Sequence, residues 1–256
     1  MQAPPSEVLV ERDGDVLVLT LNRPEVRNAL NRAFVLRLLA LLDDADADPE
    51  IRAVVLAGAP PAFCAGADLR ELPAGADDEA LERVELTVLL HSRIPSLRKP
   101  VVAAVGGAAV AGGCGLAMSC DLVVASASAT FGYPEVRRGL VAAVVMVSLE
   151  RLVGRRIALD LLLSGRLVDA LEAHRLGLVT EVVAVGEELP RALERAHELA
   201  THPAGAVAMT KELFGRVGDL PYEAALRQAG VVNLVMRRSA DAREGAAAFV
   251  RGGDDT

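Results

Sequence analysis

Three short runs, AVVLAG at 53–58, VVAAVGG at 101–107 and LVVAS at 122–126, contain no charged residue. A continuous apolar run of this length, bounded by turn residues, reads as a fully buried strand. Helix-length segments separate the runs. RAFVLRLLALLDDADAD follows Asn31, a helix-opening residue, and ends near Pro49; DDEALERVELTVLLHSRI and AGGCGLAMSC follow in turn. Strands alternating with helices predict an α/β fold. Ahead of them, EVLVERDGDVLVLTLNRP predicts a hairpin turning at Asp13-Gly14. PPAFCAGADLREL reads as a loop, VVMVSLERLVGRRIALDLLLSG as one or two helices, and LVDALEAHRLGLVTEVV as a short helix between strands. After about residue 186 the pattern is helical throughout, with Pro203 and Pro221 where helices begin. The chain has 256 residues, so these parts are expected to be a core over 1–190 and a helical region over 191–256. Aromatic residues make up only 3% and Trp is absent, so Ala, Val and Leu must fill the core.

Charge narrows the function classes. A net charge of −8 argues against a nucleic-acid binder, and an anionic ligand would need a local group of Arg or Lys. No stretch reaches the ~18 apolar residues of a membrane span. The beginning, MQAPPSEVLVERDGD, lacks the basic and apolar regions of a signal peptide, so a cytoplasmic protein is expected. Cys64, Cys114 and Cys120 lie in apolar settings without metal spacing and read as buried free thiols. His91, His174, His197 and His202 sit on expected helices without metal spacing or an obvious carboxylate partner, and read as surface or packing residues. Ser119 and Ser148 read as helix-packing hydroxyls. Dinucleotide, P-loop and G-x-S-x-G motifs are all missing.

Two features carry chemistry. Two loops, PPAFCAGADL and AAVAGGCG, follow buried strands and end in small residues at or before a helix. The N–H groups of a first helical turn lack partners inside the helix and can face a developing oxyanion. Close helix–strand packing explains the glycines equally well. The second feature is Glu135 in FGYPEV, among apolar and small residues. An apolar setting raises a carboxyl pKa and suits a proton carrier near neutral pH. A helix-terminal role, or an ion pair with Arg137 or Arg138, is the plainer reading.

Together, LTLNRPEVRNALN, VVLAGAPPAFCAGADLREL, KPVVAAVGGAAVAGGCGLAMSCDLVVAS, ATFGYPEVRRGL and RLVDALEAHRLGLV resemble the crotonase, or enoyl-CoA hydratase/isomerase, family over nearly the whole chain. The resemblance implies a spiral of ββα repeats followed by helices used in trimer assembly, with a homotrimer or a hexamer of paired trimers. It implies an acyl-CoA thioester substrate, with coenzyme A as part of that substrate and no separate cofactor, metal, nucleic-acid or membrane partner. By motif position, the backbone N–H groups of Ala67 and Gly112 would receive the thioester oxygen. Ala65, Gly66 and Asp68 match the loop at the adenine end of CoA, and Arg27 and Ala29 match the CoA channel. Phe249 matches a C-terminal aromatic that reaches a neighbour's CoA site. Arg23, Arg27 and Arg70 are candidates, by position, for the CoA phosphates.

The resemblance also exposes a departure. Many hydratases of the family read GGCEL where this chain reads GGCGL, so their first catalytic glutamate falls on Gly115, while the second falls on Glu135. The usual PGAGG is replaced by an apolar stretch. One carboxylate suits moving a double bond, whereas EVRRGLVAAVVMVSL is similar to segments of family hydratases. Hydration is expected slightly ahead of Δ3-Δ2 isomerisation. A non-catalytic acyl-CoA-binding protein is the alternative from another class.

Overall fold

The computed structural model describes residues 6–71 and 77–243. The expected hairpin is β1 (Val8–Asp13) against β2 (Val16–Leu21), antiparallel with Asp13 opposite Val16. Gly14 takes a φ of +60° in the turn, which glycine tolerates without strain. Asn31 caps α1 (Arg32–Ala47), its side chain accepting from Phe34 N–H at 2.7 Å. The rest of the core runs in order through β3 (Ala53–Gly58), β4 (Ala62–Cys64), α2 (Asp77–Ser96), β5 (Val101–Val105), β6 (Ala108–Val110), α3 (Gly112–Met118), β7 (Leu122–Ser126), β8 (Thr130–Gly132), α4 (Met146–Ser164), β9 (Leu167–Asp169), α5 (Ala170–Arg175) and β10 (Glu181–Val183). Then come α6 (Glu188–Ala200), α7 (Ala204–Val217) and α8 (Tyr222–Met236). Pro203 and Pro221 stand immediately before α7 and α8. Gly154, at φ +73°, breaks α4 into two segments.

The order is a spiral. After the β1–β2 hairpin and α1, each of the next three turns places one strand in a large sheet, the next in a small sheet, and then a helix. The large sheet has the order β1-β2-β3-β5-β7-β10 and the small one β4-β6-β8-β9. β2, β3, β5, β7 and β10 run parallel, as do β4, β6 and β8. One apolar layer, including Phe34, Phe63, Phe131, Leu56 and Leu116, fills the space between the sheets and helices α1–α5. On the other face of the large sheet, Ala192, Ala196 and Ala200 of α6 pack against Val55, Val102 and Val124. A boundary at 190 therefore falls inside α6, a helix that covers the core sheet.

The small sheet corrects the reading of 62–64 and 108–110 as loop: both are strands. They are three residues long and rich in Ala, so their strand geometry comes from the parallel ladder, Ala62 with Ala108 and Cys64 with Ala109. No described helix is long and apolar enough to cross a membrane.

Candidate active site

β4, β6 and β8 are adjacent parallel strands, and three of the expected site segments follow their C-terminal ends. Ala65–Asp68 follows β4, Ala111–Gly112 follows β6, and Tyr133–Glu135 follows β8. Ligands of parallel sheets gather at this end, where strands release into loops.

Ala67 is aimed by its neighbours. Leu30 N–H donates to Gly66 C=O at 2.8 Å, and Asp68 N–H donates to Leu30 C=O at 2.9 Å. This parallel bridge uses the groups on either side of Ala67, so the Ala67 N–H faces away from Leu30. Gly112 is aimed by its helix. Gly115 N–H donates to Ala111 C=O at 3.1 Å, and the trans peptide then turns Gly112 N–H outward from the first turn. Ala111 has a φ of +54°, uncommon for alanine, and its own N–H is tied to Gly132 C=O at 2.8 Å. A Cβ added to Gly112 would stand 3.6 Å from Gly66 Cα and 3.7 Å from Ala67 N. A Cβ on Gly66 would stand 2.9 Å from Gly112 N. The two backbone segments thus meet through glycines, and among the described residues neither Ala67 N–H nor Gly112 N–H donates to a protein acceptor.

The support beneath this loop is a residue the sequence reading missed. Asn28 is fully buried with a φ of +56°, a region Asn tolerates better than most residues. Its Nδ2 donates to the carbonyls of Ala59, Ala62 and Phe63 at 2.7–3.1 Å, and its Oδ1 accepts from Arg23 N–H at 2.8 Å. Arg27 C=O accepts from Ala65 N–H at 3.0 Å, so NRPEVRNAL supports the loop mainly through backbone and one amide. Asn28→Ala leaves three carbonyls and one N–H short of a partner. It should lower stability by about 2–4 kcal/mol and loosen Ala67, which a denaturation midpoint and a turnover assay would register.

The other expected binding residues divide. Ala29 is buried, and Arg27 has an exposed side chain. Arg23 is committed within the protein, pairing with Glu7 at 3.1 Å and Asp68 at 3.3 Å, so it does not stand free for a phosphate. Arg70 grips Asp68 with two bonds, at 2.9 and 2.7 Å, while staying largely exposed. Hydrogen bonds from Arg70, and then Arg23, hold the Asp68 carboxyl well below the usual carboxylate range, so it is an anion that fastens its loop. Phe249 lies outside the described residues.

Glu135 is the second residue of the 3-10 turn Pro134–Arg138. It is half-buried, forms no ion pair among the described residues, and its Oε2 is buried without a hydrogen-bond partner. Burial pushes its pKa up, against the weaker pull of its own backbone N–H and of Arg138. The neighbouring thiol of Cys114 is driven by burial up to about 11, with the Glu135 charge adding to the rise. Burial likewise raises Cys64 to about 12 and raises Cys120, so none of the three free cysteines is a nucleophile at neutral pH.

Gly115 is not merely an empty position. A Cβ there would lie 2.2 Å from Val145 Cγ1, 2.7 Å from Val145 Cβ and 3.0 Å from His91 Nε2. Val145, buried just before the first residue of α4, fills the side-chain space at position 115.

The remaining polar candidates are structural. Ser119 and Ser148 bond back to Gly115 C=O and Val145 C=O. His174 meets Val179 C=O at 2.9 Å. His197 does have carboxylate partners, contrary to expectation, standing 3.2 Å from Asp13 and 3.5 Å from Asp15 at the hairpin turn. Among the described residues no three His, Cys, Asp or Glu are placed to hold a metal ion.

The family model described as enoyl-CoA hydratase/isomerase matches residues 11–254. The chain belongs to the enoyl-CoA hydratase/isomerase family. This family member superimposes with a TM-score of 0.92 on a crystal structure of an enoyl-CoA hydratase from Mycobacterium smegmatis, at 37% identity over 96% of each chain. It is 36% identical to a 2,3-dehydroadipyl-CoA hydratase of Escherichia coli over 96% of each chain. It is also 36% identical to a short-chain-enoyl-CoA hydratase of Clostridium acetobutylicum, over 86% of this chain and 85% of that protein. The fold is thus a crotonase spiral, as its ββα turns indicate.

Proposed function

We propose that this family member hydrates the double bond of an enoyl-CoA, with Ala67 and Gly112 N–H as the oxyanion hole and Glu135 as the single acid–base group. The observation that carries the reading is the buried, unpartnered Oε2 of Glu135, on the same strand-end face as the two free amides. Polarising the thioester carbonyl makes C3 electrophilic and lets C2 accept charge as an enolate. Each donor aimed at that oxygen contributes about 2.7–4 kcal/mol to the rate. Glu135 then takes a proton from water as it attacks C3 and returns a proton to C2. Relatives named as hydratases support this direction.

A second reading, Δ3-Δ2 isomerisation, is favoured by one observation. Val145 occupies the side-chain space of Gly115, which leaves one carboxylate, and proton transfer between C4 and C2 needs only one. Crotonyl-CoA and a 3-enoyl-CoA separate the two. Loss of the conjugated-thioester absorbance from the first marks hydration, and its appearance from the second marks isomerisation. Silence on both, with acyl-CoA still bound, would leave a binding protein.

The pKa of Glu135 sets a pH expectation. As the base it works ionised, and its pKa is raised, so the rate should fall with decreasing pH at values above the ordinary Glu range of about 4.3. A pH–rate profile flat down to that ordinary range would contradict the assignment.

As the resemblance implies, assembly into a homotrimer or hexamer is part of the reading. The apolar residues that α7 and α8 expose, among them Phe214, Leu226, Val231 and Val235, support it.

A further inference from the structure

His91 lies on α2, and both of its ring nitrogens face backbone carbonyls. Nδ1 is 2.8 Å from Thr87 C=O, one turn back on its own helix, and Nε2 is 3.2 Å from Gly112 C=O across the contact with α3. A carbonyl oxygen only accepts, so the ring donates to Gly112 C=O with hydrogen on Nε2 and to Thr87 C=O with hydrogen on Nδ1, and a neutral imidazole makes one of the two bonds. The ring also seals one flank of Gly115, opposite Val145.

The first turn of α3 gains an added anchor from this ring. It holds Gly112, Gly113 and Gly115, the residues with the most backbone freedom to lose. Gly113 is fixed by contact, because a Cβ there would meet Cys64 C=O at 2.1 Å. The peptide before Gly112 is fixed by Ala111 C=O accepting from Gly115. The peptide after it offers its C=O to Leu116 N–H within the helix and receives one side-chain bond among the described residues, that from His91.

We propose that His91 is a positioning residue for the Gly112 amide: by clamping Gly112 C=O to α2 it fixes the rotation about the Gly112 Cα and holds the N–H on the thioester oxygen. The inference rests on the reading of Gly112 as one donor of the oxyanion hole. It gives a histidine with no metal, nucleophile or ion-pair role a function in the rate rather than in binding.

The test compares His91→Leu, which removes the ring N–H, with His91→Gln, whose amide can donate to Gly112 C=O. Turnover of the enoyl-CoA ester is measured, together with the enolate absorbance that 3-oxobutyryl-CoA acquires when its thioester oxygen is held as an anion. The leucine variant should lose about tenfold or more in kcat with KM within about twofold, and its enolate band should weaken. The glutamine variant should recover most of both. Should the leucine variant not fold, His91→Asn, too short for Gly112, carries the same expectation. A leucine or asparagine variant with wild-type kcat and an undiminished band overturns the role of His91, as does a glutamine variant no better than leucine. A wild-type protein that binds 3-oxobutyryl-CoA without any enolate band overturns the reading of Gly112 itself, before any substitution is made.

Discussion

Glu135→Gln should lower kcat by about 10³-fold or more while the affinity for acyl-CoA changes by less than about threefold. General acid–base groups contribute about 10²–10⁴-fold. Here one group serves both proton steps, and no second carboxylate stands at position 115 to cover its loss. The amide keeps the shape of the side chain and neither gains nor loses a proton near neutral pH. Stability should move the other way. Burial raises the folded-state pKa of Glu135, so the charged form is the one folding disfavours, and wild-type stability is lost as pH rises through that value. Gln does not titrate, so the variant should melt at the same or a higher temperature at neutral pH. Calorimetry alongside stopped-flow assays reads both. A folded variant with near wild-type turnover would remove Glu135 from the chemistry, and one that melts well below wild type would contradict the stability expectation.

Gly115→Glu, the substitution that would recreate a two-carboxylate site, should fail. The new Cβ would lie 2.7 Å from Val145 Cβ, an atom that rotation of the valine side chain cannot move. Overpacking of this kind costs about 1–3 kcal/mol, and a carboxylate forced into an apolar slot adds to it. A total of about 3 kcal/mol or more corresponds to a drop in Tm of roughly 6–12 °C for a chain of this size. Hydration should not rise. Val145→Gly in the same chain removes both clashing carbons, so the double variant should be more stable than the sum of the single changes implies. A double-mutant cycle measures that coupling. A well-folded Gly115→Glu protein with faster hydration would show that Val145 does not close the slot.

These two expectations differ in how far the sequence foretold them. Glu135 stood out because a lone carboxylate in FGYPEV was surrounded by apolar residues. The hairpin was legible from Asp13-Gly14, and α1 from Asn31, because turns and caps are local chemistry. The buried strands β3, β5 and β7 were legible because continuous apolar runs have few other uses. The fit of Val145 against Gly115 was not legible. It joins residues 30 positions apart in a packing contact, and nothing in either segment names its partner. Asn28 was hidden for a similar reason, since its three carbonyl acceptors lie more than 30 residues away. The strands β4 and β6 were read as loop because three residues of Ala-rich chain have no period. Their pairing supplies the geometry, and that geometry brings Ala67 and Gly112 side by side.

The most direct measurement is a crystal structure of the Glu135→Gln variant with an unreacted enoyl-CoA bound. The thioester oxygen should lie about 2.7–3.1 Å from both Ala67 N and Gly112 N, with the residue 135 side chain over C2 and C3. An oxygen held by only one of those amides, or a residue 135 side chain turned away from the double bond, would contradict the account.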